Sequence, residues 1–283
     1  MARPDLPKLA VLAGNGPLPR QVAEAARDQG REVIVITIED VSEEADFTPE
    51  FDHARVRLGG AKQLIKTLKQ AKAQQVIMVG GARRPGLREL KPDMKALSII
   101  TKATLKGLGD DGLLGAVCQT LEDEGFQVIG ATDILPDLLA PMGRIAGPKP
   151  DDQAERDIRR GVEVVTRLGE ADVGQGAVVQ QGIVLAVEAI EGTDAMIART
   201  TSLRREGAGG VLVKLAKPQQ DHRVDLPTIG LKTVEAAAAA GLRGIAVSAG
   251  ACQIVDTDAV KQAAQDADLF LLGITADYYL KGS

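Results

Sequence analysis

Aromatic side chains are scarce in this chain of 283 residues, which has no Trp, two Tyr and four Phe. Proteins that bind single-stranded nucleic acid stack bases on aromatic side chains, and this chain has few of them. A net charge of −5 also disfavours the broad basic surface that contacts a phosphate backbone. We therefore expect no nucleic acid partner.

Cysteine and histidine are equally rare. Cys118 and Cys252 lie far apart in apolar stretches, no CxxC pattern occurs, and His53 and His222 complete the set. This inventory disfavours a zinc site, a cysteine nucleophile and a catalytic histidine pattern, and it is typical of reduced cytosolic thiols.

Long hydrophobic runs are missing as well. No run approaches the roughly 20 residues of a membrane span, and the apolar run near the N-terminus is too short for a signal peptide. We expect a cytoplasmic protein. Contact with a membrane surface needs only a modest apolar patch and is compatible with this expectation.

The remaining composition is that of a globular protein, with 45% hydrophobic and 26% charged residues. The length predicts two domains, and the Pro- and Gly-rich stretch LPDLLAPMGRIAGPKP predicts the boundary between them. We place the domains at 1–140 and 141–283. Four apolar residues of this stretch either face an apolar ligand or pack between the domains: Leu135, Leu138, Leu139 and Met142.

Buried strands alternate with amphipathic helices along both halves, which predicts an α/β fold. The first domain is expected to be Rossmann-like with a mainly parallel sheet, and the second a mixed α/β domain with a hairpin at Gln181-Gly182. The predicted strands are 8–13, 32–38, 75–79, 127–130, 177–180, 183–187, 211–215, 244–247 and 269–273, and the predicted helices are 18–28, 62–72, two within 92–125, 151–168, 194–206, 228–240 and 258–266.

Three glycine-rich turns are candidate ligand loops. Gly14, Asn15 and Gly16 follow the first strand, and they either offer backbone N–H groups to a phosphate or a nucleobase edge or form a plain tight turn. Pro19 replaces the third glycine of GxGxxG, so hydride chemistry is disfavoured. Gly80 and Gly81 end another strand and precede Arg83 and Arg84, which either grip an anion or lie in solvent. The turn at 107–112 is either a helix-helix connection or part of a site.

The stretch from Val187 to Gly230 brings carboxylates and basic residues together at predicted strand ends and on a loop bounded by Pro218 and Pro227. Such groups suit Mg²⁺-assisted hydrolysis or transfer of a phosphoryl group. The alternative is a pair of salt-bridged surface loops. The charged residues concerned are Glu188, Glu191, Asp194, Arg199, Lys214, Lys217, Asp221, Arg223 and Asp225.

Four segments also carry a family resemblance: LAGNGPLP, KGLGDDGLLG, EAIEGTDAMIAR and LVKLAKPQQDHRVDLPTIG. Together they resemble the LpxI-type UDP-2,3-diacylglucosamine pyrophosphatases of lipid A biosynthesis, over essentially the whole chain. The resemblance implies Mg²⁺-dependent hydrolysis to UMP and 2,3-diacylglucosamine 1-phosphate, in two α/β domains with the ligand between them. It also implies that Asp225, in DLPTIG, is the catalytic aspartate.

The other roles are our own inference. We assign Lys214 and Arg223 to catalysis beside Asp225, and Glu188, Glu191, Asp194 and Asp221 to the metal. We expect the enzyme to act at the inner face of the inner membrane without spanning it. The sequence is compatible with a homodimer. The main alternative function is that of a non-catalytic regulator that binds a nucleotide sugar. The substrate-binding residues are expected to be Gly14, Asn15, Gly16, Gly80, Gly81, Arg83, Thr193, Arg199, Lys217 and Gln220.

Overall fold

The computed structural model describes residues 6–81, 92–105 and 110–281. The chain forms two compact units. The first contains the described residues up to Pro136 together with Asp221–Asp225, and the second contains Asp137–Gln220 and the described residues from Leu226 onward. Sequence reasoning placed one boundary at residue 140 and did not anticipate that a segment of the second half belongs to the first unit.

The first unit is built on a parallel sheet in which β1 lies at the centre. Every residue of β1 is buried, as expected for a strand paired on both sides and covered by helices. The strand order is β3-β2-β1-β4-β5, and all four pairs are parallel. This order confirms the Rossmann-like prediction. The strands are β1 Leu9–Ala13, β2 Val33–Ile38, β3 Asp52–Val56, β4 Gln75–Val79 and β5 Gln127–Val128.

Amphipathic helices cover this sheet. The first helix packs against β1 and β2 and buries Val22, Ala23 and Ala26. Apolar side chains of the second and fourth helices, including Leu68 and Leu121, join the core formed by the strands. The helices are α1 Leu18–Asp28, α2 Ala61–Gln70, α3 Met94–Leu105 and α4 Asp110–Asp123.

The second unit contains a mixed sheet of order β6-β13-β11-β9-β7-β8. Its three middle strands are parallel, and its flanking strands are antiparallel, which confirms the mixed α/β prediction. The predicted hairpin is also confirmed, since Gln181 and Gly182 both have positive φ between antiparallel β7 and β8. The strands are β6 Gly143–Ala146, β7 Gly176–Gln180, β8 Ile183–Val187, β9 Val211–Lys214, β11 Gly244–Ser248 and β13 Phe270–Ile274, and a separate parallel pair is β10 Thr228–Ile229 with β12 Gln253–Ile254.

Helix α5 crosses this sheet closely at Gly161, where a Cβ would lie 2.4 Å from Cγ2 of Val213. The Asp151 side chain caps the helix by accepting a hydrogen bond of 2.8 Å from the Ala154 N–H. The helix predicted at 228–240 begins only at Leu231, because Thr228 and Ile229 pair with β12. The helices are α5 Asp152–Glu170, α6 Gly192–Thr200, α7 Leu231–Ala239, α8 Thr257–Asp266 and α9 Ala276–Lys281.

Candidate active site

Two glycine loops meet at the carboxyl ends of β1 and β4, where the strand order of the first unit changes direction. Open α/β sheets bind ligands at such a switch point. The Asn15 N–H donates to the Gly81 carbonyl at 2.7 Å, and the Gly81 N–H donates to the Asn15 carbonyl at 2.9 Å. The structure therefore brings together two loops that lie about 65 positions apart in the sequence.

Glycine is required on both sides of this contact. A Cβ on Gly14 would lie 2.6 Å from the Gly81 carbonyl oxygen, and one on Gly80, whose φ is +97°, would lie 2.8 Å from the Asn15 carbonyl oxygen. Residues 15, 16, 80 and 81 are exposed. The loops thus form a tight turn pair and also present bare backbone at the sheet edge, so the structure accommodates both sequence interpretations.

The start of helix α1 is a weaker anion site than its position suggests. Pro17 is the N-cap residue and Pro19 lies within the first turn, so two backbone N–H groups that would point at an anion are missing. Arg83 and Arg84, predicted to follow the Gly80-Gly81 turn, lie outside the described residues.

A chain of three polar side chains lies at the end of β9 in the second unit. Lys214 Nζ donates to Thr193 Oγ1 at 2.7 Å and to the Thr228 carbonyl oxygen at 3.2 Å. Thr193 Oγ1 in turn donates to Glu188 Oε1 at 2.7 Å. The structure therefore brings together three residues that the sequence assigned to three different roles.

The two charged members of this hydrogen-bonded series are deeply buried, with Lys214 6% and Glu188 7% exposed. Glu188 Oε2 has no hydrogen-bond partner among the described residues and faces Gly176, on which a Cβ would come within 2.8 Å of this oxygen. Unpaired buried charges are strongly unfavourable. The Thr193 hydroxyl is thus the polar link through which an acid and a base share the interior of the second unit.

Arg223 fixes the segment Asp221–Asp225 within the first unit. Its guanidinium donates to both carboxylate oxygens of Asp221, at 2.9 and 2.7 Å, to Glu122 and to the Val128 carbonyl oxygen. These bonds use most of the five donors of an arginine. The hydrogen bonds from Arg223 lower the pKa of the Asp221 carboxyl. We therefore interpret Arg223, which the sequence assigned to catalysis, as an anchor.

Asp225 ends this anchored segment. Its backbone N–H donates to the Asp221 carbonyl oxygen at 2.9 Å, and Val224 packs against the core of the first unit. The Asp225 residue is half-buried, and Pro227 restricts the backbone that follows it. The aspartate implied by the resemblance is thus held by a turn whose neighbours cannot rotate freely.

The basic and amide residues predicted to bind substrate stabilise a loop of the second unit. Lys217 Nζ pairs with Asp172 at 2.7 Å, and the Lys217 N–H donates to Gln220 Oε1 at 2.9 Å. Gln220 Nε2 donates to Gln175 Oε1 at 3.1 Å. These contacts order the loop that leads into the segment carrying Asp225.

The predicted metal ligands have separate partners. Asp221 binds Arg223 in the first unit, while in the second Glu191 pairs with Arg199 at 2.8 Å and Glu188 binds Thr193. A hydrogen bond from its own backbone N–H lowers the pKa of Glu191, and Arg199 adds to this effect. Asp194 is exposed. Over residues 6–81, 92–105 and 110–281, no group of three or more His, Cys, Asp or Glu side chains is placed to hold a metal ion.

Both cysteines are buried and reduced. Burial raises the pKa of Cys118 to about 11 and that of Cys252 to about 12, so both thiols stay protonated at neutral pH.

The four apolar residues of the boundary stretch, which either face an apolar ligand or pack between the domains, do not all belong to one unit. Leu135 belongs to the first unit and the other three to the second. Leu138 is 7% exposed, whereas Met142 is 62% exposed. Among the described residues, no helix is both long and apolar enough to cross a membrane.

Sequence reasoning missed Glu122, Asp172 and Gln175. Glu122 lies in the acidic end of α4, which reads like an ordinary solvated helix terminus, and Asp172 and Gln175 lie in a short turn before β7. No local pattern marks them. Their roles arise from contacts that only the folded chain creates.

Comparisons with known proteins agree with one family along the chain. Residues 8–138 match the LpxI N-terminal domain and residues 141–272 match the LpxI C-terminal domain. The chain is 38% identical over 274 residues to the UDP-2,3-diacylglucosamine pyrophosphatase LpxI of Caulobacter vibrioides, covering 94% of this chain and 97% of that protein.

Likeness to solved structures is much weaker. WbmG of Bordetella bronchiseptica in complex with NAD is 12% identical with a TM-score of 0.32, covering 73% of this chain and 71% of that chain. The biotin carboxylase domain of the 2-oxoglutarate carboxylase of Hydrogenobacter thermophilus is 14% identical with a TM-score of 0.25, covering 60% of this chain and 34% of that chain. The matched domains and the relative from Caulobacter vibrioides establish that this chain belongs to the LpxI family.

Proposed function

We propose that this protein hydrolyses the pyrophosphate bond of UDP-2,3-diacylglucosamine, giving UMP and 2,3-diacylglucosamine 1-phosphate in lipid A biosynthesis. The observation that carries this proposal is the 38% identity to a pyrophosphatase of that name over nearly the full length of both chains. The buried, reduced cysteines and the absence of a catalytic histidine pattern direct the chemistry to carboxylates and basic groups.

Asp225 is the proposed catalytic carboxylate, either binding the metal or orienting the attacking water. Its support is the fixed turn in which it lies and the anchoring of Arg223 to Asp221 and Glu122. Lys214 is the proposed cation that stabilises charge developing on the phosphate. Two of its three N–H donors are engaged by Thr193 and Thr228.

The proposed substrate contacts are the exposed backbone edge at residues 14–16 and 80–81, together with Thr193, Arg199, Lys217 and Gln220. The edge lies at the switch point of the first sheet, where nucleotides commonly bind in this fold class. Because Lys217 and Arg199 already pair with acidic residues, a substrate phosphate would compete with Asp172 and Glu191 for them.

Mg²⁺ dependence is part of the proposal. Mg²⁺ commonly takes one or two carboxylates together with waters and substrate phosphates, so the absence of a three-carboxylate group among the described residues fits a metal held mainly by the substrate. Asp225 would be its protein ligand in that arrangement. When bound, the ion neutralises phosphate charge.

We further propose that water attacks the phosphorus nearest the glucosamine, so that UMP is the leaving group, and that the enzyme works at the cytoplasmic face of the inner membrane without spanning it. The membrane location rests on the diacylated substrate, which is expected to reside in a bilayer.

Turnover of UDP-2,3-diacylglucosamine with Mg²⁺, followed by chromatography of the nucleotide, tests the proposed function. We expect UMP from the wild type and less than about a tenth of that rate, a barrier increase above 1.4 kcal/mol, from Asp225→Ala. Circular dichroism verifies that the variant is folded. Substrate binding without any UMP would instead identify a nucleotide-sugar-binding regulator.

A further inference from the structure

An apolar cavity of about 200 Å³ lies inside the first unit. Leu12, Ile38 and Val56 form one wall, and these residues lie at or next to the carboxyl ends of β1, β2 and β3. The opposite walls come from α2, α3 and α4. The cavity therefore lies near the same sheet edge as the Gly14–Gly16 loop, which follows β1 directly.

The chemistry of the lining is almost wholly aliphatic. Leu64, Ile99, Leu113 and Val117 are among its aliphatic members, and Thr120 and Arg57 are its polar members. The Thr120 hydroxyl is already satisfied, since it donates to the Ala116 carbonyl oxygen at 2.8 Å. A sugar or a nucleobase would lose its hydrogen bonds to water in such a space without regaining them. A hydrocarbon chain would lose none.

The rim of the cavity favours an anionic amphiphile over a neutral hydrocarbon. Arg57 is exposed, and no described carboxylate lies within ion-pair distance of its guanidinium. Around it, the helices present large apolar side chains to solvent: Met94 is 84%, Leu97 48% and Leu113 40% exposed. A cluster of exposed apolar side chains on a protein surface often marks a binding site.

We propose that this cavity receives one acyl chain of the diacylated substrate. The identity of the lipid rests on the proposed function. The site rests on the aliphatic lining, on the position near the ligand-binding edge of the sheet, and on Arg57, which has no ion-pair partner among the described residues. It is an alternative to the four apolar residues of the boundary stretch, which belong to both units.

Filling the cavity tests the assignment. Ala96 lines it and is buried, so Ala96→Phe should displace the chain. Each methylene that returns to water weakens binding about fourfold. We therefore expect kcat/KM for the long-chain substrate to fall at least tenfold, while kcat/KM for a diacetyl analogue stays within twofold of the wild-type value. The matched control is Ala71→Phe, because Ala71 packs against the same core but does not line the cavity.

A second variant covers the case in which Ala96→Phe does not fold. Leu113→Glu puts a charge on the lining at a position that is 40% exposed, and the matched control Ile183→Glu puts the same charge on a position of β8 that is 46% exposed and does not line the cavity. Only Leu113→Glu should reduce turnover of the long-chain substrate. Equal losses for long-chain and diacetyl substrates, or equal losses in the two glutamate variants, would overturn the proposal.

Binding without turnover separates this inference from the proposed function. Calorimetric titration with 2,3-diacylglucosamine 1-phosphate should give wild-type affinity in Ala71→Phe and at least tenfold weaker affinity in Ala96→Phe, whether or not the protein releases UMP. Titration with laurate tests whether the cavity instead binds the acyl chain of a free fatty acid. If laurate binds the wild type but does not compete with the lipid phosphate, the cavity belongs to a free fatty acid and the assignment is wrong.

Discussion

At the scale of single residues, one hydroxyl group joins two buried charges of opposite sign. Thr193 accepts from Lys214 and donates to Glu188, and both charged residues are more than nine-tenths buried. Because Glu188 Oε2 has no hydrogen-bond partner among the described residues, the bond from Thr193 is the polar contact on which this carboxylate depends. Loss of the Thr193 hydroxyl should therefore affect both Lys214 and Glu188.

Thr193→Val removes this hydroxyl while keeping the shape of the side chain. We expect the free energy of unfolding to fall by about 1–3 kcal/mol, because Lys214 and Glu188 each lose a hydrogen bond in a buried site. Urea unfolding followed by circular dichroism measures it. Thr193→Ser retains the hydroxyl and should lose less than half as much; equal losses in the two variants would show that the hydroxyl is not what stabilises the site.

The sequence predicted these residues but not their relation. Lys214, Glu188 and Thr193 were all identified as candidate site residues because they stand at predicted element ends, and residue type alone gave them three separate roles. Hydrogen bonding between Lys214 and Thr193 depends on β9 and α6 meeting in space, which no local pattern encodes. The anchoring of Arg223 by Glu122 was beyond the sequence for the same reason.

At the scale of elements, the buried strands were the most predictable part. Gln75–Val79 and Ile183–Val187 have the predicted bounds, and α1 occupies residues 18–28 as expected. Strand β3 was missed because DHARV is polar, and only Val56 of it is buried. Strand β6 was missed because GRIA lies among prolines and glycines that favour a linker, yet it pairs with β13 at the edge of the sheet.

The glycine loops are the elements that combine tight packing with a candidate ligand edge. Gly80→Ala should weaken the substrate affinity at least tenfold and destabilise the fold by about 1–3 kcal/mol, because the new Cβ meets the Asn15 carbonyl oxygen in a backbone conformation of positive φ. KM for the substrate and the urea midpoint measure the two effects.

Gly115→Ala is the matched control for the loop. Gly115 lies in α4, and a Cβ there would meet nothing within 4 Å. We expect its free energy of unfolding to rise by about 0.4–1 kcal/mol, with an unchanged KM. A normal KM in Gly80→Ala would show that the loop pair serves packing alone.

The segment Asp221–Asp225 should become less stable in acid. Hydrogen bonds from Arg223 lower the pKa of Asp221, so its contribution to stability is present above the ordinary aspartate pKa of about 3.9 and is lost as the pH falls through the lower, folded value. Asp221→Asn should therefore lose less free energy of unfolding than the wild type between neutral pH and about pH 3. Asp28→Asn, on the exposed face of α1, is the control, and identical losses in wild type and Asp221→Asn would contradict this account.

At the scale of the whole molecule, the chain crosses between its two units more often than a boundary near residue 140 predicts. The first unit takes back five residues of the second half, and the catalytic candidate Asp225 ends that segment. Composition marked the Pro- and Gly-rich boundary because such a stretch is locally visible. Composition did not mark the segment Asp221–Asp225 as part of the first unit, because Arg223 and Val224 join that unit through long-range contacts.

We propose that the complete enzyme depends on a divalent cation once its substrate is bound, since Mg²⁺ commonly takes one or two carboxylates together with waters and substrate phosphates. A metal held mainly by the diphosphate should exchange readily. Excess EDTA should abolish UMP release, and added Mg²⁺ should restore it fully. Full activity in EDTA would mean that basic residues such as Lys214 neutralise the diphosphate without a metal.

Hydrolysis of UDP-2,3-diacylglucosamine in ¹⁸O-labelled water, followed by mass spectrometry of both products, tests the central claim most directly. The account predicts that the substrate is cleaved and that the label enters the phosphate of 2,3-diacylglucosamine 1-phosphate, because water attacks the phosphorus nearest the sugar and UMP leaves. Label in UMP would contradict the assigned site of attack, and recovery of intact substrate would contradict the proposed activity itself.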